Sequence, residues 1–377
     1  MNQDGDRNTK SRARRLRRFR IAISLASFVC SVLVGLALIR IGLIPPGPFK
    51  FALSEEAAAR HPSYPAPEGA LILEEQGADK TGHRYIYDEI LGWKNIPNWK
   101  STTFGKQLTI NSKGLRDKER PYAKPPDVKR ILVLGDSFAW GYGVADDEIF
   151  TSVLENLLAR RSGPKWEVIN TGVSGWSTDQ QYLFLRDEGL KYEPDIVLLA
   201  FCSANDVKGS MTARIYGLSK PLYRRSPSAS SNTNAPMDFI NLPPPKPGEG
   251  SGQHMTFSGP SQAIMEPLLH GIYDLAVRND AQFMMASFGR FLNPAHAEVK
   301  RWAKEARAIV SRLDGSMFLD VDFEFWDRGL ALEDLVDESI EHDGHWDADG
   351  HRLVAEILYD FLEKQNALNA DTDGVQR

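Results

Sequence analysis

The sequence predicts an α/β protein built on a doubly wound parallel sheet, with a small β-rich region and one membrane-spanning helix ahead of it. Three observations carry this. Apolar runs recur at Ile131–Leu134, Trp166–Ile169, Pro194–Phe201, Gln282–Ser287 and Ser316–Val321, as expected of strands buried on both faces of a sheet. Stretches with apolar residues at helical spacing separate most of them, and strands alternating with helices argue for right-handed parallel crossovers. Short loops rich in Gly, Ser, Asn and Asp follow the first three runs, where open α/β sheets place reactive groups.

A chain of 377 residues with 42% hydrophobic and 25% charged residues suits one large α/β domain plus appendages, and a net charge of −5 gives no sign of nucleic-acid binding. The first segment, 1–20, is nonetheless basic: Arg7, Lys10, Arg12, Arg14, Arg15, Arg17, Arg18 and Arg20 face only Asp4 and Asp6. Ile21 to Ile39 follows without a charge. At about 1.5 Å per residue it is just long enough for a hydrocarbon core of about 30 Å. Segment 21–41 is read as an uncleaved anchor, because no small-x-small cleavage site follows it. The basic flank then stays cytoplasmic and the rest of the chain is extracytoplasmic, periplasmic or extracellular. Cys30 and Cys202 are the two cysteines, one in the anchor and one after a core strand, so the soluble part has no disulfide framework.

Residues 42–82 are rich in Pro, Ala and Glu and read as a linker, with room for one short helix at Ser54–Arg60. Residues 83–128 read as a small β-rich region: Tyr85, Tyr87 and Trp93 precede Thr102–Phe104 and Leu108–Ile110, and Asn111–Gly114 is a turn. It is either a structural apron or a carbohydrate-contacting lip. Residues 129–366 hold the main domain. Its helices are expected at Glu148–Arg160, Ser177–Leu190, Gln262–Arg278, Ala295–Leu313 and Ala348–Gln365, the last capped by Asp347. Residues 207–260 interrupt the alternation as a Ser- and Pro-rich insertion, read equally as a lid or as disordered, with one strand-like piece at Met237–Leu242. Residues 367–377 read as a frayed tail.

Four loops hold the residues fit for chemistry: Gly135-Asp136-Ser137, Asn170–Gly175, Ser203–Asp206, and His342–Trp346 before the last helix. Serine, histidine and aspartate are the parts of an activated nucleophile, and glycine and asparagine amides can serve as oxyanion donors. The blocks Gly-Asp-Ser-Phe, Val-Ser-Gly-Trp, Ala-Asn-Asp and Asp-Gly-His-Trp, in that order, resemble the SGNH (GDSL-type) hydrolases from about Lys129 to Phe361, the insertion apart.

That resemblance implies a flavodoxin-like sheet. It also implies Ser137 as nucleophile, the amides of Ser137, Gly175 and Asn205 as oxyanion hole, and His345 as base oriented by Asp343. One residue, not the more usual two, separates Asp343 from His345. This Asp-x-His-Trp spacing resembles the branch with membrane-linked exopolysaccharide acetylation proteins. His351, in a second Asp-Gly-His, and His342 are weaker choices for the base. Asp136 and Asp206 are expected to brace loops. Trp140 and Trp176 are open between core and sugar stacking.

The reading that follows is a membrane-anchored serine esterase acting on O-acyl, first of all acetyl, esters of an extracytoplasmic glycan or another small ester. It expects no cofactor, no metal and no nucleic acid. An O-acyltransferase with the same triad, a lipase, and a non-catalytic glycan-binding or assembly subunit are the alternatives.

Overall fold

Along the strand that ends at Leu134 the side chains alternate between two cores: Ile131 and Val133 enter one, Leu132 and Leu134 the other. The structure is a computed structural model, and it describes residues 51–53, 72–75, 84–216, 218–224, 238–240, 259–291, 294–336 and 344–369. The basic segment 1–20, the anchor expected at 21–41, the helix expected at Ser54–Arg60, and residues 370–377 lie outside the described residues. Among the described residues no helix is long and apolar enough to cross a membrane.

The first elements form an antiparallel four-stranded sheet of β1 (Phe51–Leu53), β2 (Ile72–Glu75), β3 (Arg84–Asp88) and β4 (Gly92–Asn95). Two of these strands fall inside the segment read as linker. The Pro-rich sequence around them forbids long elements, but a strand of three or four residues needs only a partner edge. A hairpin of β5 (Lys100–Thr103) and β6 (Lys106–Thr109) follows.

The main sheet holds β7 (Val128–Leu134), β8 (Lys165–Asn170), β9 (Ile196–Cys202), β14 (Gln282–Phe288) and β15 (Met317–Asp320) in the order β15-β14-β9-β7-β8, all parallel. In chain order this is 2-1-3-4-5, the flavodoxin-like arrangement, with its topological switch between β7 and β9. The other helices are α1 (Ser137–Trp140), α2 (Phe150–Leu158), α3 (Thr178–Asp187), α4 (Asp206–Ser210), α5 (Gln262–Arg278), α6 (Ala297–Val310), α7 (Val321–Asp327) and α8 (Ala348–Lys364). Side chains of α3, α5 and α6 share a core with Leu132, Leu199 and Met285 on one face of the sheet. Those of α2, α7 and α8 share the other with Ile131, Leu198 and Met284. Asp347 caps α8 by accepting the Gly350 amide at 2.8 Å.

Three sequence expectations change. The last strand stops at Asp320, whose carboxylate accepts the Phe323 amide at 3.0 Å and starts α7. Ala367 and Leu368, read as the start of the tail, are buried in the α2–α8 core. The insertion opens with ordered structure: β10 (Arg214–Ile215) pairs with β11 (Leu218–Ser219), and β12 (Leu222–Arg224) with β13 (Asp238–Ile240). Residues 225–237 and 241–258 lie outside the described residues.

Candidate active site

The switch point between β7 and β9 brings two of the four sequence blocks together. β7 ends at Leu134, and a Cβ on Gly135 would lie 2.6 Å from the Ala139 Cβ, so only glycine lets α1 fold back over the strand end. Asp136 caps α1, its Oδ1 accepting the Phe138 amide at 3.0 Å. Ser137 is the first residue of α1 and is 8% exposed. Gly141 closes α1 in the left-handed region, φ 89°, and its amide donates to the Ser137 carbonyl.

His345 Nε2 lies 2.7 Å from Ser137 Oγ. The imidazole packs between two neighbours drawn from the nucleophile loop. Tyr142 stacks on it at 4.4 Å between centroids and 23° between planes, and Phe138 lies at 4.6 Å. The next residue, Trp346, is buried against Phe138 and Phe288, which fixes the chain on which His345 sits. Asp343 and His342 lie outside the described residues. His351 is placed elsewhere: it is fully buried in the first turn of α8, where its Nδ1 accepts the Phe150 amide at 3.2 Å. Burial, with smaller contributions from Arg116 and His345, pushes its pKa down to about 3. It is therefore a neutral packing residue.

The second block is tied to the first. Asn170 Nδ2 donates to the Ala139 carbonyl at 2.7 Å, and its Oδ1 accepts the Gly172 amide at 2.9 Å. A Cβ on Gly172 would lie 2.6 Å from the Trp140 nitrogen, so this loop touches α1 backbone to backbone. Gly175 has φ 78°. Neither its amide nor that of Ser137 donates to a described residue.

In the third block Asn205 Nδ2 donates to Asp136 Oδ2 at 2.9 Å. A carboxamide has a second N–H, which remains for a substrate oxygen. Asp206 is fully buried and accepts from Thr178 Oγ1, Gln181 Nε2 and the Cys202 amide. Burial raises the Asp136 pKa to about 6, against the pull of the Asn205 and Phe138 bonds. It raises that of Asp206 well above the usual carboxylate range, with the charge of Asp136 acting in the same direction. Cys202 is a free, buried thiol.

Trp140 and Trp176 belong to the core, both buried. Trp140 Nε1 donates to Asn95 Oδ1 at 3.1 Å, and Trp176 Nε1 to the Trp93 carbonyl at 2.9 Å. Trp93 Nε1 answers by donating to the Ser174 carbonyl at 3.1 Å. Arg116 is buried and donates to the carbonyls of Trp140, Gly141, Val144 and Gln107 and to Asp146. The 84–128 region is thus a structural brace for the first two blocks.

The residues that sequence reasoning missed are those whose role depends on tertiary contact. Tyr142 sits between Gly141 and Gly143, both at positive φ, and an aromatic residue framed by two glycines just after the serine was its only signal.

The family described as the GDSL-like Lipase/Acylhydrolase family matches residues 133–353. No curated protein matches the sequence significantly. Among solved structures, the chain is similar to a psychrotrophic esterase, EstA, from Pseudoalteromonas sp., with 14% identity, a TM-score of 0.42, and coverage of 63% of this chain and 99% of that one. It is also similar to a lipase/acylhydrolase from Enterococcus faecalis (15% identity, TM-score 0.42, 63% of this chain and 96% of that one). A third is an acetyl xylan esterase, AlAXEase (15% identity, TM-score 0.39, 61% of this chain and 98% of that one).

Proposed function

The chain belongs to the GDSL-like lipase/acylhydrolase family, and from that premise we propose that it is a membrane-anchored serine esterase that removes a small acyl group, acetyl first of all, from an extracytoplasmic glycan. The observation that carries the ester chemistry is the 2.7 Å contact between Ser137 Oγ and His345 Nε2, which is within reach for direct proton transfer. In this reading His345 takes the Ser137 proton as Oγ attacks the ester carbonyl. The amides of Ser137 and Gly175 and the second N–H of Asn205 receive the developing oxyanion. The carbonyl–alkoxy bond then breaks, and His345 returns the proton to the departing alcohol. Water, activated by the same imidazole, releases the acid from acyl-Ser137. Asp343 orients the imidazole and stabilises its charged form.

The glycan rests on the Asp-x-His-Trp resemblance together with the predicted export, and export rests on the basic 1–20 and apolar 21–41 segments. An alkaline phosphatase fused after residue 80 is expected to be active in cells; activity of a cytoplasmic reporter at that position instead would refute the orientation. The chemistry is tested with the full chain in detergent. p-Nitrophenyl acetate should give a burst of p-nitrophenol, and a fluorophosphonate should label Ser137. Absence of both would sink the esterase reading.

A further inference from the structure

The insertion after α4 begins with a tight hairpin whose tip carries a left-handed tyrosine. Ile215 pairs with Leu218, so only residues 216 and 217 connect the strands. Two-residue hairpins favour residues that accept positive φ, above all Asn and Gly. Tyr216 sits at φ 51° instead, a conformation unfavourable for a bulky side chain. Backbone strain of this kind persists where the surrounding structure enforces it, and it concentrates at functional sites.

The surroundings do enforce it. Lys220, at the end of the hairpin, is fully buried. Its ammonium pairs with Asp179 at the start of α3 and donates to the carbonyls of Gly209, Thr212 and Pro221. Its amide donates to the Ala213 carbonyl at 2.9 Å. On the other side, a Cβ on Gly92 would lie 2.4 Å from the Ser219 carbonyl oxygen, so the hairpin presses directly on β4. Residues 211–216 and 218–220 therefore form a wedge held between the β-rich region and α3.

That wedge delivers the Tyr216 ring to Gly175. A Cβ on Gly175 would lie 3.1 Å from Tyr216 Cδ2 and 3.3 Å from Cε2. Yet the tyrosine is 39% exposed. A ring that touches the loop of a proposed oxyanion amide and also faces solvent borders the mouth of the site. Ser137 is only 8% exposed, so the alcohol half of an ester held there must extend outward. An amphipathic ring with an apolar face suits the C–H face of a pyranose. We infer that Tyr216 is a specificity-determining platform for the sugar half of the ester, stacking on the ring that bears the acyl group. The inference rests on the esterase reading above and adds a binding residue to it.

The full chain and three variants, Tyr216→Phe, Tyr216→Ala and Tyr216→Asn, are assayed on glucose pentaacetate and on ethyl acetate. Asn tolerates the left-handed turn, so it tests the ring without disturbing the hairpin. Loss of the ring is expected to lower kcat/KM for the sugar ester about tenfold, through KM, in line with the usual worth of an aromatic contact. Ethyl acetate turnover should stay within about twofold, and Tyr216→Phe should stay close to wild type on both. An equal loss on both esters would mean that the ring only supports Gly175 and would overturn the inference, as would no loss on the sugar ester. A wild type that turns over neither ester defeats the esterase reading and this inference with it. Activity on ethyl acetate without Tyr216 dependence on the sugar ester defeats this inference alone.

Discussion

Asn205 turns its side-chain amide onto Asp136, Nδ2 to Oδ2 at 2.9 Å, joining the loop after β9 to the cap of the helix that carries Ser137. The carboxylate takes one N–H and so fixes where the other points. Asp136 thereby has two roles: it starts α1 through the Phe138 amide and fixes the side chain of Asn205, the proposed oxyanion donor.

Asp136→Asn separates those roles. Its oxygen can still accept the Phe138 amide, but its NH2 then meets the Asn205 NH2, donor against donor. Turning away, Asn205 leaves the position proposed for it at the oxyanion. The expected result is a fall in kcat of about 10²-fold with little change in KM, similar to Asn205→Ala, since one oxyanion donor is worth about 10²–10³. The double mutant should be no slower than the worse single one. Additive losses on p-nitrophenyl acetate would show that Asp136 acts independently of Asn205.

Tyr142 is expected to hold His345 through its ring face. Tyr142→Leu should lower kcat about tenfold, the scale of one aromatic contact, while Tyr142→Phe keeps most of the rate. If Leu and Phe perform alike, the stacking is incidental to catalysis.

Arg116 predicts a stability effect. It is fully buried with bonds to four carbonyls and to Asp146. Arg116→Met leaves those acceptors buried without their donor, and breaking a buried charge network costs about 3–5 kcal/mol. Urea unfolding should register this as a lower midpoint. A fragment beginning at Lys129, which lacks Arg116 and Trp93, should fail to fold cooperatively.

Much of this was legible in the sequence for identifiable reasons. A strand buried on both faces must be apolar at every position, so Ile131–Leu134 and Ile196–Cys202 announce themselves locally. Gln262–Arg278 carries its periodicity within its own turns, and Asp347 advertises a cap. Ser137, Gly175 and Asn205 stood out because loop chemistry after strands is a local pattern, and His345 because its Asp-Gly-His-Trp block directly precedes the last helix. Contacts are not local. Trp140 and Trp176 are the same residue type in the same context whether they stack on a sugar or, as here, donate to Asn95 and Trp93. The turn at Asp320 was hidden because Val-Asp-Phe-Glu-Phe alternates like a strand, and only the capping bond to Phe323 reveals a helix. The hairpin tipped by Tyr216 was hidden because only Gly217 of its two turn residues favours positive φ, and tertiary anchors hold the tyrosine in place.

His351 makes the sharpest pH prediction. Its imidazole is fully buried, and its pKa falls from 6.5 to about 3 chiefly because burial disfavours the charged form. Between those values the unfolded chain binds a proton that the folded chain refuses. Stability from this residue is therefore present above pH 6.5 and is lost as pH falls, at about 1.4 kcal/mol per unit. His351→Asn keeps an acceptor for the Phe150 amide but removes the titration. Wild type should be the more stable protein at pH 7.5, where the better-packed imidazole is neutral in both states. Its advantage should shrink by about 2–3 kcal/mol by pH 4.5. Buried Asp136 and Asp206 titrate in both proteins, and their contributions cancel in the difference. Urea unfolding of the pair at the two pH values reads this directly. A difference that stays constant, or grows in acid, would mean that His351 accepts a proton in the folded state, and its assignment as a neutral packing residue would fall.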